Sequence, residues 1–220
     1  MIRLANSLFL IIFIAWSTLA QDADIEEEFR RARIIPHALS AAPTEWLRII
    51  YENRTLQTGE LIENEEDLLH LPKIKWKSAH LRKLYTVYMF GLTEIPWRET
   101  RYEMSEGANF GLSDGCNRTR QYHCWVQVNI PGDRVRKGEQ LFPYISPDCP
   151  SHEFTDRIVV LAFGQNFLVN IPTGKMHHAK LFSECSPTSR LVNKFNLTGP
   201  IAGNFFYMKC DTQNFMLEYP

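Results

Sequence analysis

Short apolar segments rich in Val, Ile, Tyr, Phe and Trp recur along this chain, separated by clusters of Pro, Gly, Asn or Asp. They are EWLRIIYE (45–52), KIKWK (73–77), LYTVYMFGL (84–92), HCWVQVNI (123–130), RIVVLAFGQ (157–165) and GNFFYMKC (203–210). Such composition and punctuation predict β-strands. RIVVLAFG is apolar without alternation and predicts a strand covered on both faces, whereas CWVQVNI partly alternates and predicts one more polar face. Helical pattern is scarce. SPTSRLVNKF (186–195) offers Ser186 as N-cap, Pro187 at the first helical position and Leu191, Val192 and Phe195 on one face, as in a helix laid on a sheet. Short strands with a few peripheral helices predict a mainly β domain, most simply a sandwich.

The N-terminus breaks this pattern. MIRLANSLFLIIFIAWSTLA has one Arg, an apolar run from Leu8 to Trp16 and small residues before an acidic stretch, the order of a secretory signal peptide cleaved after Ala20. The run is too short to span a bilayer, which needs about 20 apolar residues. Secretion is therefore expected, with no transmembrane segment after cleavage. Residues 21–34 form a polar arm in which Glu26 to Glu28 precede Arg30, Arg31 and Arg33, either solvated or a short helix with Glu-to-Arg i,i+4 pairs. The domain proper is expected over 35–220, with WRETRYEMSEGANFGLSDGCNRTR (97–120) as a long irregular insertion.

Charge and composition narrow the function classes. The 220-residue chain has a formal net charge of -1, and removal of residues 1–20, which contain Arg3 and no acid, makes it -2. No nucleic-acid partner is expected from such a balance. Secretion permits glycans at the sequons of Asn53, Asn117 and Asn196, and disulfides among five cysteines, of which Cys116, Cys149 and Cys185 are the candidates. Cys124 and Cys210 fall at strand positions. An odd cysteine count leaves at least one thiol free or paired outside the chain, and the pairing stays open. No Cys or His spacing suggests a metal, and no cofactor is expected. The His177-His178 doublet reads as a solvated loop, because adjacent strand residues face opposite ways. No motif for a nucleophile, metalloprotease or phosphate-cradling loop occurs, so the expected protein is not an enzyme.

Three stretches, in order, resemble the phosphatidylethanolamine-binding protein family, which includes the Raf kinase inhibitor proteins. They are PHALSAAPTEWLRIIYENRTLQTGELI…LPKIKWKSAHLRKLYTVYMF, YHCWVQVNIPGDRVRKGEQLFPYISPDCP and FNLTGPIAGNFFY. The resemblance covers about residues 35 to 215 and rests on the order and spacing of these stretches rather than on any one of them. It implies that family's β-sandwich with a few peripheral helices. It also implies a small cavity for phosphate-type anions and phospholipid headgroups, built from an Asp-Pro-Asp-x-Pro loop, a Trp-His-His strand start and a Gly-x-His-Arg loop.

This chain departs from that pattern at each element. Gly91-Leu92-Thr93-Glu94-Ile95-Pro96 takes the place of the acidic loop, Tyr122-His123-Cys124 that of Trp-His-His, and Phe154-Thr155-Asp156-Arg157 that of Gly-x-His-Arg. The pocket-equivalent positions are then Gly91, Thr93, Glu94, Tyr122, His123, Cys124, Asp156 and Arg157. A thiol is a weak donor where an imidazole would attract phosphate, and an ionised Asp156 would repel it unless Arg157 pairs with it. The expectation is a degenerate headgroup pocket, a buried Cys124, a His123 satisfied at a sheet edge and an Asp156–Arg157 ion pair. Glu94, after a loop shift, is the alternative source of the missing acid. An apolar pocket lined by Trp125, Phe154 and Ile158 would suit a lipid or small hydrophobic ligand. Two other classes stay open: a structural component like the protein of this fold in the mitochondrial large ribosomal subunit, and a protease or kinase inhibitor by family analogy.

Overall fold

The computed structural model describes residues 24–52, 54–94, 119–147, 155–171 and 188–209. In chain order its elements are helix α1 (Ile25–Arg31) and strands β1 (Glu45–Trp46), β2 (Arg48–Tyr51), β3 (Arg54–Thr55), β4 (Leu61–Ile62), β5 (Lys73–Lys75) and β6 (Leu84–Glu94). There follow β7 (Thr119–Pro131), β8 (Glu139–Phe142), β9 (Asp156–Gln165), helix α2 (Thr188–Phe195) and β10 (Leu197–Met208). Single 3-10 turns lie at Glu65–Leu68 and Val135–Lys137. The protein is mainly β, as its hydrophobic pattern predicts.

A seven-stranded sheet runs in the order β1-β10-β9-β6-β7-β8, with β4 also paired to β10, and a three-stranded sheet runs β3-β2-β5. Between the two sheets lies a core that contains Ile49, Tyr51 and Ile74 from the small sheet and Val87, Trp125, Ile158, Val160 and Phe206 from the large one. A second core covers the opposite face of the large sheet and contains Phe29, Ile34, Tyr88, Val126, Val159, Leu161 and Leu191. Alternate residues of β9 enter different cores and the whole strand is buried, which explains its unbroken apolar sequence.

The arm carrying α1 belongs to this second layer. Asp24 caps α1, and Glu26 pairs with Arg30 and Glu27 with Arg31 at i,i+4 spacing. These exposed pairs contribute little, about 0.3–0.5 kcal/mol each. The anchor is Phe29, fully buried with its ring edge-on to Phe205. Phe29, set within the charged stretch Glu26–Arg31, docks the helix, with Ile25 packed against the same core.

Strand β7 corrects one expectation. Its sequence predicts one more polar face, yet the polar Gln127 and Asn129 are buried. Gln127 accepts from Trp125 Nε1 and donates to the carbonyl of Val135. Asn129 donates to Glu139 and to the carbonyl of Val169. Internal partners replace water, which satisfies buried polar groups at little net cost. Helix α2 occupies its expected place with Leu191 buried; the Ser186 and Pro187 positions lie outside the described residues. Strand β10 starts six residues before the expected GNFFYMKC segment, with a register shift between Thr198 and Ala202 that carries the strand past Gly199-Pro200. Residues 119 and 120 of the expected insertion belong to β7, and the remainder lies outside the described residues.

Candidate functional site

The expected pocket positions converge where β6, β7 and β9 run side by side. Gly91 is aligned with Tyr122 on one side and with Ile158 on the other. Alternation puts Gly91, Thr93, Tyr122 and Asp156 on the face toward the small sheet. Between Met89 and Phe90 the β6–β7 register shifts by one residue, opposing Met89 to Trp125 and Phe90 to His123. Cys124 is the extra residue of this bulge, so Cys124 and Trp125 both enter the inter-sheet core.

Asp156 is the centre of the group. Its carboxyl is fully buried, and Oδ2 accepts the Thr93 hydroxyl at 2.7 Å and the Tyr122 hydroxyl at 3.0 Å. The Tyr122 ring reaches it by lying over Gly91: a β-carbon there would meet Tyr122 Cζ at 1.9 Å. Cys124 is buried beside them. Burial pushes its thiol well above the usual range, the Asp156 charge adds to that, and a hydrogen bond with the Gly91 backbone opposes it. A protonated, enclosed thiol is inert as a nucleophile. Nearby, the Tyr51 and Tyr144 hydroxyls lie 3.0 Å apart and Tyr144 donates to the carbonyl of Leu68.

His123 and Arg157 face the other way. His123 Nδ1 lies 2.7 Å from the Tyr88 hydroxyl, and its ring packs near Phe142. Burial lowers its pKa to about 4, so the ring is neutral at pH 7. The expected Asp156–Arg157 ion pair is replaced by two separate sets of contacts, because neighbours on a strand project to opposite faces. Arg157 Nη1 donates instead to the carbonyl of Ala32, just past α1, at 2.9 Å. Trp125 and Ile158, expected to line an apolar pocket, are fully buried in the inter-sheet core. Glu94 ends β6, and its side chain lies outside the described residues, as do Phe154 and the His177-His178 doublet.

Among the glycan and disulfide candidates, Asn196 is exposed between α2 and β10, whereas Asn53, Asn117, Cys116, Cys149 and Cys185 lie outside the described residues. Among the described residues no group of three or more His, Cys, Asp or Glu side chains is placed to hold a metal ion. No helix of the described residues is long and apolar enough to cross a membrane. Sequence reasoning gave Arg33 and Tyr88 no role and read the run with Arg31 as either solvated or a short helix with Glu-to-Arg pairs, of which the structure has the helix. The buried Phe29 within that run is the signal that it docks.

Comparison with known proteins agrees with this architecture. No family model matches the chain. It is 26% identical over 207 residues, covering 91% of this chain and 90% of the other, to the "Putative odorant-binding protein A5" of Drosophila melanogaster. Among solved structures it resembles a phosphatidylethanolamine-binding protein from Plasmodium vivax, with a TM-score of 0.58 at 16% identity over 84% of this chain and 97% of that one. It also resembles a carboxypeptidase Y inhibitor complexed with its cognate proteinase, with a TM-score of 0.62 at 15% identity over 88% of this chain and 100% of that one. The fold is that of the phosphatidylethanolamine-binding proteins, as the sequence resemblance implied.

Proposed function

We propose that this chain, built on the phosphatidylethanolamine-binding protein fold, is a secreted, non-catalytic carrier of a small lipid-like or hydrophobic ligand whose headgroup pocket has been closed. One observation carries the closure. At the position matched to the family's Gly-x-His-Arg histidine stands Asp156, fully buried and held by the hydroxyls of Thr93 and Tyr122. Three features oppose a phosphate there: an acid where a donor is needed, a tyrosine ring over the glycine gap, and a protonated thiol at the second histidine's position. The odorant-binding name of the Drosophila relative favours transport of a small organic molecule over headgroup recognition. The signal-like N-terminus supports secretion. Among the described residues Cys124 stays protonated and His123 is tied to Tyr88, so neither is an activated nucleophile or base.

Titration of the mature chain with inorganic phosphate and phosphorylethanolamine, followed by NMR, tests the closure. Neither should bind more tightly than about 10 mM, an affinity worth under roughly 3 kcal/mol. Saturable binding at micromolar concentration that shifts Tyr122 or Trp125 signals would overturn it. A panel of apolar volatiles and medium-chain lipids tests the carrier reading. N-terminal sequencing of protein recovered from culture medium tests secretion and the Ala20 cleavage site. The likeness to a proteinase-bound inhibitor supports a second reading, a protein-binding module. Pull-down against carboxypeptidase Y separates the two.

A further inference from the structure

Strand β9 runs into a short loop whose base is fixed and whose tip is apolar. Gln165 Nε2 donates to the carbonyl of Phe167 at 3.1 Å. Asn129 brackets Val169, accepting from its N–H at 2.8 Å and donating to its carbonyl at 3.0 Å. Val169 is buried, whereas Phe167 and Leu168 are 61% and 70% exposed. The loop is tied to buried amides on either side of its tip, so two adjacent large hydrophobic side chains are presented to solvent by an anchored backbone.

The neighbouring segment carries a sequon. Gly164 is aligned with Thr198 and Gln165 with Leu197, and Asn166 Nδ2 lies 3.5 Å from the carbonyl oxygen of Asn196. Asn196-Leu197-Thr198 therefore runs beside the root of the apolar tip. Asn196 is exposed and directly follows α2, with φ of 49°, a left-handed position that asparagine accepts at a helix end. Thr198 Oγ1 donates to the carbonyl of Gly164 at 3.4 Å. Local structure thus accounts for the asparagine and the threonine, but not for the exposed Phe167 and Leu168.

We propose that Asn196 carries an N-linked glycan whose first sugars lie on Phe167 and Leu168. The inference rests on the secretion part of the proposed function, because such glycans are added along the secretory route. One face of an N-acetylglucosamine ring is made of C–H bonds, and its hydroxyls lie at the rim. That face packs on an aromatic ring through weak C–H contacts and takes apolar surface out of water, while the rim stays solvated. The leucine beside the phenylalanine widens the apolar seat. A sugar attached one residue from the partner of Gln165 starts next to that seat, so little chain has to be ordered to reach it.

Full-length chain expressed in eukaryotic cells and recovered from the medium tests this. Mass spectrometry should find the peptide holding Asn196 glycosylated. Phe167→Ala should lower the Tm of that protein by about 3 °C, but by less than about 1 °C in an Asn196→Gly background. Glycine suits the left-handed backbone, so Asn196→Gly removes the sugar without straining the fold. In NMR spectra the C–H protons of the first N-acetylglucosamine should be shifted upfield by the Phe167 ring, and Phe167→Ala should abolish that shift. An unoccupied Asn196, or equal Tm changes for Phe167→Ala with and without the glycan, overturns the inference while leaving secretion in place. If the chain is not recovered from the medium, the secretion reading falls with it.

Discussion

The ring of Tyr122 lies over the backbone of Gly91, so close that a methyl group on Gly91 would meet Tyr122 Cζ at 1.9 Å and Cε1 at 2.2 Å. Glycine here creates room, and a tyrosine from the neighbouring strand fills it. The filled gap then brings a hydroxyl to the buried Asp156 carboxyl.

Gly91→Ala should accordingly force the half-buried Tyr122 ring outward and break its bond to Asp156. The expected loss is about 2 kcal/mol, in the range for an overpacked site that also gives up a hydrogen bond to a buried group. Tyr122→Leu in the same background should recover part of it, since the obstructing ring tip is gone. Urea midpoints of the two single variants and the double variant check this. Additive effects would show that the ring and the glycine do not compete for the same space.

Acid should destabilise the fold through His123. Its folded pKa, lowered by burial to about 4, lies below the ordinary value of 6.5. Between those values the unfolded chain binds the proton and the folded chain does not. Stability is therefore complete above about pH 6.5 and falls as pH drops toward 4. A shift of that size corresponds to at most about 3 kcal/mol. Among the described residues, the Tyr88 hydroxyl and the Phe142 ring face His123, and burial holds Tyr88 protonated well past the usual range. His123→Gln retains an acceptor for Tyr88. It should flatten the difference in unfolding free energy between pH 7 and pH 4.5 relative to the parent, as measured by urea titration. An unchanged slope would place the acid sensitivity elsewhere.

Asn129 combines a left-handed backbone, φ of 56°, with a side chain that serves three segments. Its Oδ1 accepts from Val169 N and Gln165 Nε2, and its Nδ2 donates to Glu139 and to the carbonyl of Val169. Asn129→Ala loses these bonds and keeps an unfavourable φ, at an expected cost of about 3 kcal/mol. Asn129→Gly relaxes the backbone but leaves the same groups unpartnered, so it should fall between alanine and the parent in thermal unfolding. Alanine and glycine variants of equal stability would mean that backbone strain contributes nothing.

Much of this was legible in the chain itself. β2, β5, β6, β7 and β9 fall within or close to their expected ranges because each carries a run of β-branched and aromatic residues bounded by turn formers. β8, with Glu139 and Gln140 in a four-residue strand, lacks that pattern and exists through its ladder with β7. The family resemblance singled out Gly91, Thr93, Tyr122, Cys124 and Asp156, which β6, β7 and β9 bring together. The direction of each side chain was less legible. The bulge at Cys124 sends two consecutive residues into one core, which no strict alternation anticipates.

Local sequence determines which segments extend, where they break and which positions carry chemistry, because backbone preference and side-chain type act over a few residues. Tertiary structure alone decided that Asp156 meets Thr93 and Tyr122 rather than Arg157. It also docked the charged run around Phe29 against the large sheet, where Arg157 donates to the Ala32 carbonyl. Those outcomes depend on strand register and on the packing of α1 against the sheet. They join residues dozens of positions apart, whose proximity no short-range preference encodes.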